Sequence, residues 1–145
     1  MTSLVDSLPA EKPATKKSFS VFIVDDDQAY LAALGFRLVK ENKNNTKVFC
    51  YSSGEECLRN MQLNPSVIIL DYYLDTSNPK AMSGLETLRK IKEINPGVPV
   101  VMLSGQGDID VALDIYEAGA YSYIMKNKRA LDAIDKIIER LAKSE

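Results

Sequence analysis

The sequence predicts an α/β domain built on a doubly wound, mostly parallel sheet. Two observations carry this. Five apolar runs of strand length alternate with five stretches of helical spacing between Ser18 and Lys143, the pattern of successive βαβ units. The third and fourth runs, "SVIIL" (66–70) and "VPVVML" (98–103), are also almost continuously apolar, as parallel strands covered by helices on both faces are.

Taken in order, residues 1–18 come first. They hold Pro9, Pro13, Lys12, Lys16 and Lys17 among small residues, the composition of a flexible tail, and the folded domain is expected over 19–143. "FSVFIV" (19–24) is the first strand. "DQAYLAALGFRLVKE" follows with Leu31, Leu34 and Leu38 on one helical face. "TKVFCY" (46–51) is the second strand, and "SGEECLRNM" a short helix opened by a capping box from Ser53 to Glu56. After 66–70, "SGLETLRKIKEI" repeats that opening, aligns Leu85, Leu88 and Ile91, and stops at Asn95-Pro96-Gly97. After 98–103, "GDIDVALDIYEAG" closes at Gly119, a natural C-cap. "AYSYIM" (120–125) is the fifth strand. The last helix, "RALDAIDKIIERLAK", carries Leu131, Ile134, Ile138 and Leu141 on one stripe.

Composition bounds the function. A length of 145 residues suits one domain with a buried core, with no room for a second. Hydrophobic residues at 46% and charged residues at 26% are ordinary for a soluble globular protein. A net charge of −2 argues against direct nucleic-acid binding, which needs a basic face. No apolar run approaches the roughly 20 residues of a membrane-spanning helix, and the N-terminus lacks the apolar core of a signal peptide. Cys50 and Cys57 show no metal spacing, so a reduced, cytoplasmic protein is expected. The absence of histidine excludes histidine catalysis and histidine-ligated zinc.

The strand ends are specific. Strand one runs into Asp25-Asp26-Asp27, strand three into Asp71, strand four into Ser104 and strand five into Lys126. In a parallel sheet these collect at one edge, where ligands of doubly wound folds bind. Clustered carboxylates repel and call for a cation, and an all-oxygen set suits Mg²⁺. Lys126 and Ser104 can hold phosphoryl oxygens, and a carboxylate beside the metal can attack phosphorus.

This ordered set resembles the receiver domain of two-component response regulators over roughly residues 18–143. The family pattern is an acidic pair, an acceptor Asp, a Ser or Thr, an aromatic and a Lys at successive strand ends. It falls on Asp25 and Asp26, Asp71, Ser104, Tyr123 and Lys126. The resemblance implies a flavodoxin-like sheet of order 2-1-3-4-5 with five helices. It implies that Asp71 takes a phosphoryl group from a sensor histidine kinase or a histidine phosphotransfer protein. Mg²⁺ would be held by Asp25 or Asp26, Asp71 and the backbone carbonyl of Tyr73. Lys126 would pair with Asp71 or its phosphate, and Ser104 would move toward the phosphoryl oxygens. Tyr123 would turn inward and reshape the partner face of helix four, strand five and helix five. On that reading the protein is no enzyme beyond turning over its own phosphoryl group.

The sequence departs from the pattern twice. The loop from Asp71 to the matching glycine, Gly84, is longer than usual, with Leu74 at the usual Met position and the Pro missing. Asn127 stands where the family has a cis proline. A cis bond without proline costs about 3–4 kcal/mol, so a trans bond and a rearranged loop are expected. Neither change removes a chemical group.

Each residue alone has an ordinary explanation: Asp27 as a helix cap, Ser104 in a turn, Lys126 solvated, Tyr123 in the core beside Tyr121 and Met125. Two other readings compete. Asp25-x-Asp27 after a strand resembles haloacid-dehalogenase-like phosphatases, with Asp25 as nucleophile and Asp27 as acid/base. Against it, Ala29 replaces the usual Thr or Val, Asp132 and Asp135 fall inside a helix, and no cap domain fits. The other is a receiver-like interaction module without phosphorylation. No output domain is present, so the chain either acts alone by binding a partner or belongs to a longer protein. The mixed charges Asp108, Asp110, Asp114, Lys136 and Arg140 on the presumed partner face fit either a salt-bridged homodimer or solvated surface.

Overall fold

The structure is a computed structural model that describes residues 18–41, 45–74, 78–105 and 109–144. The expected tail, apart from Ser18, lies outside the described residues, as do residues 75–77 of the loop after Asp71, and Asp108. The chain runs β1 (Phe19–Val24), α1 (Gln28–Glu41), β2 (Thr46–Tyr51), α2 (Gly54–Arg59), a 3₁₀ turn (Met61–Leu63), β3 (Val67–Asp71), α3 (Gly84–Ile94), β4 (Val100–Ser104), α4 (Ile109–Glu117), β5 (Ser122–Met125) and α5 (Ala130–Lys143). The strands form one sheet in the order β2-β1-β3-β4-β5, and every neighbouring pair is parallel. The five helices and the order match the expectation.

Period-two alternation divides the strands between two cores. Phe22, Val24, Ile68, Leu70, Val100 and Met102 face one side, under Cys57 of α2, Leu88 and Ile91 of α3 and Ile115 of α4. Val21, Ile23, Val67, Ile69, Val101 and Leu103 face the other, under Leu31, Leu34 and Leu38 of α1 and Ile134 and Ile138 of α5. Residues of β1, β3 and β4 on both faces are buried, which is why those runs read as continuously apolar. Burying one such side chain contributes about 1.5–3 kcal/mol.

The caps behave as read. Ser53 Oγ accepts from Glu56 N–H at 3.1 Å, and Ser83 Oγ from Glu86 N–H at 3.1 Å. In the first box the Glu56 carboxylate reaches back to the N–H of Ser52, at 3.3 Å. Strand boundaries shift at three starts, by one residue at β3, where Ser66 lies outside, and by two at β4 and β5. Val98 and Pro99 lie outside β4. Proline lacks the N–H for the ladder, although its carbonyl still accepts from Ile68 at 3.0 Å. Ala120 and Tyr121 lie outside β5 because α4 ends in a Schellman turn. Gly119, at φ +98°, donates to Tyr116 O, and Ala120 donates to Ile115 O.

The chain leaves β1, fills the edge position β2, and returns to β3 on the other side of β1. The loops after β1 and β3 therefore diverge, and the crevice between them is the topological switch point.

Candidate functional site

That crevice holds the carboxylates. Asp25 follows β1 directly, and its N–H extends the ladder to Tyr51 O at 3.1 Å. Its side chain is turned inward, with only 1% of the residue exposed, and Oδ1 accepts from Asp27 N–H at 2.9 Å. Asp71 is the last residue of β3, 4% exposed, and its Oδ1 accepts from Tyr73 N–H at 3.3 Å. Asp26 is half-buried. One carboxylate oxygen from each of Asp25, Asp26 and Asp71 lies within 4.8 Å of the others.

One ammonium faces them. Lys126, just past β5, donates from Nζ to Asp25 Oδ2 at 2.7 Å and lies 3.4 Å from Asp71 Oδ1. The closer partner is thus Asp25 rather than Asp71. Its backbone N–H donates to Ser104 O at 2.8 Å, which fixes the lysine to the end of β4. Ser104 itself is fully buried.

Electrostatics follow from burial. Desolvation first, then the neighbouring Asp25 charge, push the Asp71 carboxyl up to about 6, against the pull of Lys126. Burial disfavours the Lys126 charge, but the hydrogen bond to Asp25 and the charge of Asp71 outweigh it, and the ammonium is raised above its ordinary value. Among the described residues the site sets three carboxyl groups against one lysine. The donor set is all oxygen, it is held together by fixed backbone, and it carries excess negative charge. It therefore fits a hard divalent ion such as Mg²⁺.

The loop after β3 is closed by Gly84, the first residue of α3. A Cβ there would overlap the carbonyl oxygens of Asp71 and Tyr72. The family-like glycine thus lets the helix start against the backbone that carries Asp71. The Tyr73 ring is exposed and stacks edge-on against Tyr72 at 4.8 Å. Leu74 is buried in the core under α3. The peptide bond to Asn127 is trans, since no cis bond occurs among the described residues. Asn127 Oδ1 accepts from Arg129 N–H at 2.8 Å, an Asx turn that leads into α5.

Tyr123, paired with Met102 in the sheet, is half-buried against the first core, whereas Tyr121 and Met125 are exposed. Asp27 is a cap: its Oδ1 accepts from Ala29 and Tyr30 N–H at 3.0 and 3.2 Å. Two features escaped the sequence reading. Lys126 Nζ sits over the ring of Tyr30, 4.5 Å from its centroid. The α4–β5 face also carries exposed Ile109, Leu113, Tyr116, Tyr121 and Met125 beside its charges. The i, i+4, i+7 spacing on α4 was the signal available for the second.

A doubly wound sheet with an acidic cluster at its switch point and a lysine after its fifth strand defines a class of α/β domains with a charged site at the carboxyl edge of the sheet. The family model for the response regulator receiver domain matches residues 21–139, and the chain belongs to that family. It is 36% identical over 118 residues to the response regulator protein TmoT of Ectopseudomonas mendocina, covering 81% of this chain and 50% of that one. It is 32% identical over 130 residues to the transcriptional regulatory protein GlrR of Escherichia coli, covering 87% of this chain and 28% of the relative. The chain therefore spans half or less of these relatives. Among solved structures, a CheY-like receiver domain protein from Methanospirillum hungatei superposes with TM-score 0.73 at 28% identity, over 88% of this chain and 96% of that one. The BeF3-activated DrrB receiver domain superposes with TM-score 0.74 at 27% identity, over 88% and 99%.

Proposed function

We propose that this receiver domain accepts a phosphoryl group on Asp71 and converts the new charge into a changed partner surface. One observation carries the reading: Asp25, Asp26 and Asp71 meet within 4.8 Å beside Lys126, at the end of a rigid sheet. Asp71 is buried yet ionised at neutral pH and backed by a fixed strand. Its carboxylate oxygen attacks the phosphorus of a phosphohistidine on a sensor kinase or histidine phosphotransfer protein. An O–P bond forms, the N–P bond breaks, and the imidazole leaves with a proton. Asp25, Asp26, Asp71 and the Tyr73 carbonyl are the groups that would hold Mg²⁺. That ion supplies positive charge to the phosphoryl oxygens. Lys126 steadies charge on the same group. Ser104, one strand away, hydrogen-bonds a phosphoryl oxygen, and Tyr123 follows it inward.

The output face is that of α4, β5 and α5. Its exposed Ile109, Leu113 and Tyr116 on α4, beside Asp110 and Asp114 of the same helix and with exposed Lys136 and Arg140 on α5, support docking of a partner or a second copy better than a purely solvated surface. The only turnover is of the protein's own phosphoryl group, and the setting is the cytoplasm. Engagement of Asp27 as a helix cap counts against its use as the acid/base of a phosphatase.

The test is intact mass after incubation with Mg²⁺ and acetyl phosphate, beside Asp71→Asn. One phosphoryl group that requires both Mg²⁺ and Asp71 is expected. No adduct together with no Mg²⁺ binding would leave a receiver-shaped docking module, and modification at Asp25 would restore the phosphatase reading.

A further inference from the structure

We propose that Tyr30 is a positioning residue: its ring holds the Lys126 ammonium over the Asp25–Asp71 pair and so sets the rate at which Asp71 takes up phosphoryl. This rests on the receiver reading above. Lys126 is drawn by two carboxylates, Asp25 and Asp71, and its stem is flexible. A second surface that attracts cations narrows its range, and an aromatic face does this best where water is scarce. Tyr30 supplies that face, with Nζ at 4.5 Å from the ring centroid and at 2.7 Å from Asp25.

The ring is itself well fixed. The backbone N–H of Tyr30 donates to Asp27 Oδ1 in the first turn of α1, and the side chain packs against the core between α1 and α5. Burial raises the phenol above its ordinary value, against the pull of Lys126, so the ring stays neutral. Its Oη is buried with no hydrogen-bond partner among the described residues. A buried hydroxyl in that state costs stability rather than adding it, and the contact Tyr30 makes with the site is through the face of its ring. The chain of support runs from the Asp27 cap through Tyr30 to Lys126, and from there to both carboxylates.

A residue that only filled space could be replaced by any apolar side chain of similar size, whereas a cation platform needs an aromatic one. Tyr30→Phe and Tyr30→Leu separate the two. Tyr30→Met, a flexible filler, serves if the leucine variant does not fold. Uptake from acetyl phosphate with Mg²⁺ is expected to slow about fivefold in Tyr30→Leu, and Tyr30→Phe restores it. Independently of phosphorylation, the Lys126 ε-methylene proton resonances should lie upfield by ring current in wild type and Tyr30→Phe, and return to ordinary values in Tyr30→Leu. Wild-type uptake in the leucine variant, or a phenylalanine variant as slow as leucine, overturns the proposal. If wild type itself takes up no phosphoryl group and binds no Mg²⁺, the phosphorylation reading fails, not this one. The resonances then decide alone: the same shift in all three proteins refutes the placement of Lys126 by Tyr30.

Discussion

Replacing Asp71 with Asn removes one buried charge and keeps the side chain's shape. In the metal-free domain three carboxylates share one ammonium, and burial with the Asp25 charge holds Asp71 at about 6 rather than 3.8. The folded value lies above the unfolded one, so between the two the folded state binds more protons. Stability from that proton is present below the unfolded value and is lost as pH rises toward 6. Above 6 the folded domain carries the full penalty. Linkage puts it on the order of 3 kcal/mol, and solvent screening at the mouth of the site lowers it to about 2 kcal/mol. Asp71→Asn should therefore gain about 2 kcal/mol near pH 8 in EDTA, or roughly 5–10 °C in Tm, and about a third of that near pH 4.5. Urea melts at the two pH values measure it. Millimolar Mg²⁺ should close the gap by stabilising wild type preferentially. No gain near pH 8, or an equal gain at both, refutes the reasoning.

Removing the site's one cation among the described residues acts the other way. Lys126→Met leaves Asp25 and Asp71 buried without a counter-charge and should cost about 2–3 kcal/mol in metal-free urea melts; unchanged stability contradicts the ion pair. Gly84→Ala forces a methyl group into the carbonyls of Asp71 and Tyr72 and should cost about 2–3 kcal/mol while weakening Mg²⁺ binding measured by calorimetry. Asn127→Ala loses the Asx turn before α5 and should cost about 1 kcal/mol, read from thermal melts.

The strand ends made most of the site legible. Asp25, Asp26, Asp71, Ser104 and Lys126 each sit at the end of an apolar run, so a parallel sheet alone brings them to one edge. The strand order came from the family resemblance, since periodicity does not say which strands pair. The preference of Lys126 for Asp25 was hidden. It depends on where a flexible side chain settles after β5, which stands three places from β1 in the sheet. Tyr30 was hidden for a similar reason: an aromatic in the first turn of a helix reads as core until a cation is found on its face. The late starts of β4 and β5 arise from Pro99 and the turn at Gly119, where backbone chemistry overrides apolar content.

The two cores also differ in when they can be completed. The core under α2, α3 and α4 draws on residues up to Tyr123, all ahead of α5. The core under α1 needs Ile134 and Ile138 from the last helix. A chain growing on the ribosome, N-terminus first, can assemble one side of its sheet while Leu31, Leu34 and Leu38 still lack their final cover. For the seconds before α5 emerges, the nascent domain presents a greasy stripe. That interval is when chaperone capture or misassembly competes with folding, and a stop codon ahead of α5 would make it permanent.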